Sequence, residues 1–211
     1  MSCEIERDHG PDYLHYEQSK AIVPSGTSFN LRHARHEDLS DVLRIEWACF
    51  PGYEFKFTPK SILKWYKYNP QMFYVLEDSN GHILGYTCMV PLTKVGFSKI
   101  SDGKASSLQE LEYRDVYKMN NGKIEYCHIE VLSTIADLRS RAGRTLIRKI
   151  IEFSVERVNV TTASPITYIG RKLCNYFGFE KMAIERTKSS IYDIYALKIN
   201  QIRLRQMLER F

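Results

Sequence analysis

The chain has 211 residues, 44% of them hydrophobic and 26% charged, and a formal net charge of +5. These proportions suit one globular domain of mixed α/β type and exclude a disordered chain, while the length leaves no comfortable room for a second full domain. The basic residues are dispersed rather than gathered into a nucleic-acid-tracking block, and no apolar run approaches the ~20 residues of a membrane span.

Residues 1–28 mix Gly, Pro, Ser and charges without periodicity and read as an N-terminal extension. A strand is expected at 29–32. Over 38–50, Leu39, Val42, Leu43, Ile45, Glu46 and Phe50 recur at helical spacing until Pro51-Gly52 stops them. Thr58 then offers an N-cap with Pro59 at the first helical position, for a second helix that ends at Asn69-Pro70. Two β-rich runs, 73–77 and 83–90, flank Asn80-Gly81, a strong hairpin signal. Residues 91–122 carry little pattern beyond a short helix expected within 108–117, and their length marks an insertion or flap. A strand at 124–132 and a helix at 143–158 enclose a basic loop. A brief strand at 160–162 follows, then a helix capped by Ser164, with Pro165 first and Gly178 as its stop. A last strand pair spans 180–186 and 191–199. The tail, 200–211, reads as an amphipathic helix that docks on its own domain or on a twin subunit, with membrane-surface binding as the alternative.

Cys3, Cys49, Cys88, Cys127 and Cys174 are scattered and form no C-x-x-C pair, so neither a disulfide framework nor a zinc site is expected. The histidines show no familiar metal spacing, and no metal is expected. The charged N-terminus lacks signal character, which points to a cytoplasmic protein.

The basic loop holds the clearest chemistry. Leu138-Arg139-Ser140-Arg141-Ala142-Gly143-Arg144 joins a strand to a helix N-terminus, where unpaired N–H groups and the helix dipole favour an anion. Ala142 and Gly143 allow close backbone approach, and Arg139, Arg141 and Arg144 add forked donors for phosphate oxygens. A solvated basic loop capping a helix is the plainer alternative.

Element order over 29–199 resembles the GNAT N-acyltransferase fold. The residues that carry the likeness are Arg32-His33-Ala34 with Asp38 and Asp41-Val42, the Arg-rich turn at 138–146, and Cys174-Asn175-Tyr176-Phe177-Gly178-Phe179. The family pattern Gln/Arg-x-x-Gly-x-Gly/Ala corresponds to Leu138-x-x-Arg141-x-Gly143, which departs at its first and fourth positions. The resemblance implies a mixed, mostly antiparallel sheet flanked by helices, with two splayed central strands. It also implies acetyl-CoA or another acyl-CoA as co-substrate and a primary amine as acceptor, joined by direct attack in a ternary complex.

Its implied cofactor contacts are backbone groups of Ile129, Val131 and Ser133 and the turn Arg139, Arg141, Ala142, Gly143, Arg144 and Thr145. Many members place a base six residues before the position matched by Val131, which is Glu125 here. His128 and Glu130 are its rivals, because a bulge in this strand would change which side chains reach the cleft. Where many members carry a tyrosine that protonates the leaving thiolate, this chain has Cys174, with Tyr168 and Tyr176 nearby. An acyl–cysteine route through Cys127 or Cys174 suits the family less well than direct attack. Aromatic residues Phe50, Tyr53, Phe55, Phe57, Trp65, Tyr66 and Tyr68 fall around the helices that line the acceptor cleft in GNAT proteins, where they could hold an apolar or cationic acceptor, and core packing or a dimer contact is the plainer reading. A homodimer is compatible with the sequence. Two other readings stay open: an acyl-CoA-binding regulatory module of weak catalysis, and a synthase acylating an amino-acid derivative from a carrier protein.

Overall fold

The computed structural model describes residues 26–54, 56–118, 122–135, 141–186 and 191–210. Residues 1–25 of the expected extension, Cys3, Phe55, the Leu138–Ser140 part of the basic loop and Phe211 lie outside them.

β1 (Phe29–His33) leads into α1 (Leu39–Cys49). This junction is fixed by charge: the Arg32 guanidinium binds Asp38 at 2.6 and 3.1 Å and Glu77 at 2.7 Å, and Asp38 also accepts from the Arg35 N–H. Burial opposes ionisation of Asp38, but these donors outweigh it and hold the carboxyl below its ordinary range. Arg32 and Asp38, which helped to carry the family resemblance, thus brace the start of α1. α2 (Pro59–Tyr68) is capped by Thr58 as expected. β2 (Phe73–Asp78) and β3 (Ile83–Leu92) form the hairpin around Gly81.

The segment 91–122, expected to be an insertion or flap, departs from expectation in its helix. Its α-helix is α3 (Lys94–Ser101), while the stretch expected to be helical holds only the 3-10 turns Leu108–Glu110 and Tyr113–Asp115. Thr93 caps α3 through the Gly96 N–H, and Phe97 and Ile100 turn inward. Gly96 is required by contact: a Cβ there would collide with the Asp115 carbonyl. Over 108–117 the polar groups close local turns instead, with Asp115 accepting from the Glu112 N–H and from Lys99 Nζ at 2.7 Å. The segment is pinned to the body by Tyr68, whose hydroxyl donates to the carbonyls of Tyr113 and Val116, and by Asn69, which donates to Tyr117.

β4 (Ile124–Thr134), α4 (Arg141–Arg157) and β5 (Val158–Ala163) follow. α5 (Tyr168–Phe177) starts three residues later than the Ser164-Pro165 signal implied, because Thr167 is the residue whose hydroxyl accepts from the Gly170 N–H. Gly178, at φ +79°, terminates it in the left-handed region that glycine enters without strain. β6 (Glu180–Arg186), β7 (Ile191–Lys198) and α6 (Gln201–Arg210) complete the chain.

The seven strands make one sheet in the order β1-β2-β3-β4-β5-β7-β6, antiparallel except where β4 lies beside β5. On one face, Tyr86, Cys88, Val90 and Leu92 of β3 pack with Val42, Ile45, Ile62, Trp65 and Ile100 from α1, α2 and α3. On the other, Leu146 and Ile150 of α4 cover Leu76, Met89 and Cys127. α5 and α6 extend that second layer through Cys174, Phe177, Leu204 and Leu208. The tail thus docks on its own chain.

Candidate active site

Parallel strands β4 and β5 pair from Ile124↔Val158 to Ile129↔Ala163, and there the pairing stops. β4 runs on to Thr134 against β3, whereas the chain after Ala163 turns away toward Thr167. The displaced start of α5 is what lets residues 164–167 diverge. A cavity of about 140 Å³ fills the fork, lined on one side by Ile129–Leu132 and on the other by Ala163–Thr167. Its floor is apolar, made by Ile147, Ile150 and Ile151 of α4 and Leu173, Cys174, Phe177 and Phe179. An extended ligand laid along the unpaired edge of β4 would meet backbone donors and acceptors in the way an added strand does.

Register places one acidic side chain in this fork. Cys88 pairs with Val131 and Met89 with Ile129, so Glu130 is the extra residue of a β-bulge. The insertion then clamps its carboxylate: Ser107 Oγ donates to Oε1 at 2.7 Å and the Leu108 N–H to Oε2 at 2.6 Å. Burial pushes the Glu130 carboxyl up to about 8; the two donors pull the other way, and the nearby charges of Glu46 and Glu110 push it further up. His128, wholly buried, meets Thr162 Oγ1 at 2.9 Å through Nδ1, and its Nε2 lies 3.6 Å from Glu130. Because burial lowers His128 to about 4, it is neutral at physiological pH and the contact is not an ion pair.

A second carboxylate shares the cavity. Glu46, 1% exposed on α1, accepts from the Phe57 N–H through Oε1 at 3.1 Å, and among the described residues none hydrogen-bonds its Oε2. Burial pushes it up to about 7. Phe50 and Tyr53 line the same end, with the Tyr53 ring edge-on to Tyr192 at 5.8 Å. Glu46 was visible in the sequence as a member of the apolar stripe, four residues after Val42. A charge in register with a buried face was the available signal.

No family model matches the chain. Solved structures do. A mosquito arylalkylamine N-acetyltransferase-like protein (5b) aligns over 82% of this chain and 100% of its own, at 12% identity and a TM-score of 0.56. The ribosomal-protein-S18-alanine N-acetyltransferase of Escherichia coli covers the same share of this chain and 95% of its own, at 14% identity and a TM-score of 0.52. Arabidopsis thaliana Naa50, solved with a bisubstrate analogue, CoA-Ac-MVNAL, matches at 12% identity and a TM-score of 0.52, over 82% of this chain and 99% of its own. The chain has the GNAT fold.

Within the GNAT frame, the residues singled out from the sequence separate clearly. Ile129, Glu130, Val131 and Cys174 line the cavity. Glu125 does not: it is exposed near the start of β4 and accepts from Asn159 Nδ2 at 2.7 Å, a surface pairing. His128 sits behind Glu130, and Ser133 is buried beside Cys49. Burial pushes the Cys174 thiol up to about 12, which makes it a much weaker acid than an ordinary cysteine thiol at ~8.5. Tyr168 and Tyr176, the alternatives on α5, are 64% and 46% exposed. Arg141, Ala142, Gly143, Arg144 and Thr145 form the first turns of α4, with Ala142 and Gly143 buried and Arg141 and Arg144 exposed. Six residues of sequence, 135–140, separate the end of β4 from this helix start. Arg139 lies outside the described residues.

Proposed function

We propose that this protein is an N-acyltransferase that moves an acyl group from acyl-CoA, acetyl-CoA in the simplest case, to a primary amine in a ternary complex. The observation that carries the reading is the fork: an unpaired β4 edge that leads, through one short connection, into a basic helix N-terminus. The pantetheine arm would pair with backbone groups at Ile129–Ser133, and the pyrophosphate would lie at the N-terminus of α4, flanked by Arg141 and Arg144. Solved GNAT structures with the same fold, one holding a CoA-linked analogue, support it.

Glu130 is the proposed base. An amine reaches the site as an ammonium; the Glu130 carboxylate takes one proton from it, directly or through a water, and the freed lone pair attacks the thioester carbonyl. The new C–N bond forms as the C–S bond breaks, CoA leaves as thiolate, and the nitrogen passes its second proton to water. A carboxylic acid held near 8 is at least as acidic as an ordinary thiol, for which cysteine at ~8.5 is the guide, so Glu130 can return its proton to the sulfur without a large uphill step. This relieves Cys174 of the role of acid.

Calorimetric titration with acetyl-CoA, CoA and a long-chain acyl-CoA tests the reading. Micromolar binding that is lost in the Arg141→Glu, Gly143→Glu double variant supports it. A folded wild type that binds none of the three refutes it.

A further inference from the structure

Cavity chemistry is asymmetric. The end built by α1 and its following loop holds two buried carboxyl groups, Glu46 and Glu130, and two aromatic rings, Phe50 and Tyr53. Among the described residues that line the cavity there is no Lys, Arg or His. The charge of Lys56 acts on Glu46 from outside the lining, so within the apolar enclosure itself the two acids face no cation, and a bound one would complete the arrangement.

The two acids are also engaged differently. Both oxygens of Glu130 already accept hydrogen bonds from the insertion. Glu46 uses one oxygen to hold the Phe57 N–H, and its other is buried and, among the described residues, has no hydrogen-bond partner. A carboxylate oxygen has acceptor capacity in two directions, and a buried one left bare costs free energy until something donates to it. An ammonium group would satisfy it, whereas an acceptor bearing its own carboxylate would add a third acid to the same enclosure with nothing to pair with it.

We propose that Glu46 Oε2 is the docking point for the acceptor's ammonium group, and that the site selects a primary amine with an apolar or aromatic body and no carboxylate beside the nitrogen. Phe50 and Tyr53 contact that body, Glu46 holds the nitrogen, and Glu130 takes the proton. This rests on the acyltransferase reading above and narrows its acceptor.

The test is calorimetric, on protein saturated with CoA, so that binding is read without turnover. The ligands are 2-phenylethylamine, phenylalanine and 2-phenylethanol, which share a ring and differ in charge. We expect 2-phenylethylamine to bind at least tenfold tighter than either of the others. Glu46→Gln should weaken it at least tenfold while the CoA affinity stays within twofold, and Glu46→Asp, which keeps the charge but retracts it, should fall between. Thermal unfolding of the same samples checks that each variant is folded. Equal binding of phenylalanine, no binding of any of the three to a protein that does bind CoA, or an unchanged amine affinity in a folded Glu46→Gln variant, overturns the inference and leaves the acyltransferase reading standing. Failure of the wild type to bind CoA removes both.

Discussion

Replacing Glu130 by Gln should stabilise the protein at high pH and leave it nearly unchanged at low pH. The Glu130 carboxyl is pushed from an ordinary 4.5 up to about 8. Below 4.5 it is protonated in both the folded and the unfolded chain. Between the two values the folded chain holds a proton that the unfolded chain has released, so stability falls as pH rises, by ~1.4 kcal/mol per unit. Over about 3.5 units that amounts to ~5 kcal/mol. Glu46 faces the same space and is itself pushed up to about 7, with Glu110, Tyr53 and neutral His128 also nearby. Proton sharing with Glu46 reduces the loss, and we expect ~2–4 kcal/mol between pH 5 and pH 9. Gln keeps an acceptor for the Leu108 N–H and never ionises. For a chain of this size the variant should therefore melt ~5–15 °C above wild type at pH 9 and within a few degrees of it at pH 5. Differential scanning fluorimetry across the range reads this directly. A melting difference that stays constant with pH would refute the argument that Glu130 is buried and charged at a cost.

The insertion's role in holding this acid is testable separately. Ser107→Ala removes a donor that favours the ionised carboxylate, so the acidic limb of the kcat/KM profile should move up by ~0.5–1 unit; a uniform loss with the limb unmoved would argue against it. Gly96→Ala forces a methyl group toward the Asp115 carbonyl and should cost ~2 kcal/mol or more in urea unfolding. Thr167→Ala removes the cap of α5 and should cost ~1 kcal/mol in the same assay. At pH 8, alkylation of Cys174 by iodoacetamide, followed by peptide mass spectrometry, should run ~10³-fold slower than for a free cysteine, since burial holds its thiol up at about 12. Rapid labelling would revive the acyl–cysteine route.

Local signals read well where one or two residues decide the backbone. Thr58-Pro59, Asn80-Gly81 and Phe177-Gly178 each act through φ, a cap or a missing donor, and each stands where the sequence indicated. Ser164-Pro165 carried the same kind of signal and misled by three residues, because Thr167 offers an equally good cap and the intervening residues leave the sheet to make the fork. α3 escaped notice because Gly96 weakens helix propensity, and its glycine is explained by a neighbour nineteen residues away. The site was half legible. A bulge was foreseeable as an alternative on β4, but its position depends on the register with β3, which strand periodicity does not reveal. Glu125 matched a family spacing, yet it is exposed and paired with Asn159.

The clamp on Glu130 ties two properties that enzymes usually vary apart. Its hydrogen-bond donors, Ser107 and Leu108, come from the segment between β3 and β4, which is pinned by Tyr68, Asn69 and the Lys99–Asp115 pair. Under the proposed mechanism, any drift in that stretch retunes proton affinity at the reacting centre together with the shape of the neighbouring enclosure. Diversification of such a scaffold would then proceed by compensated pairs of changes, and grafting a foreign loop between residues 93 and 118 would silence the chemistry before it altered selectivity.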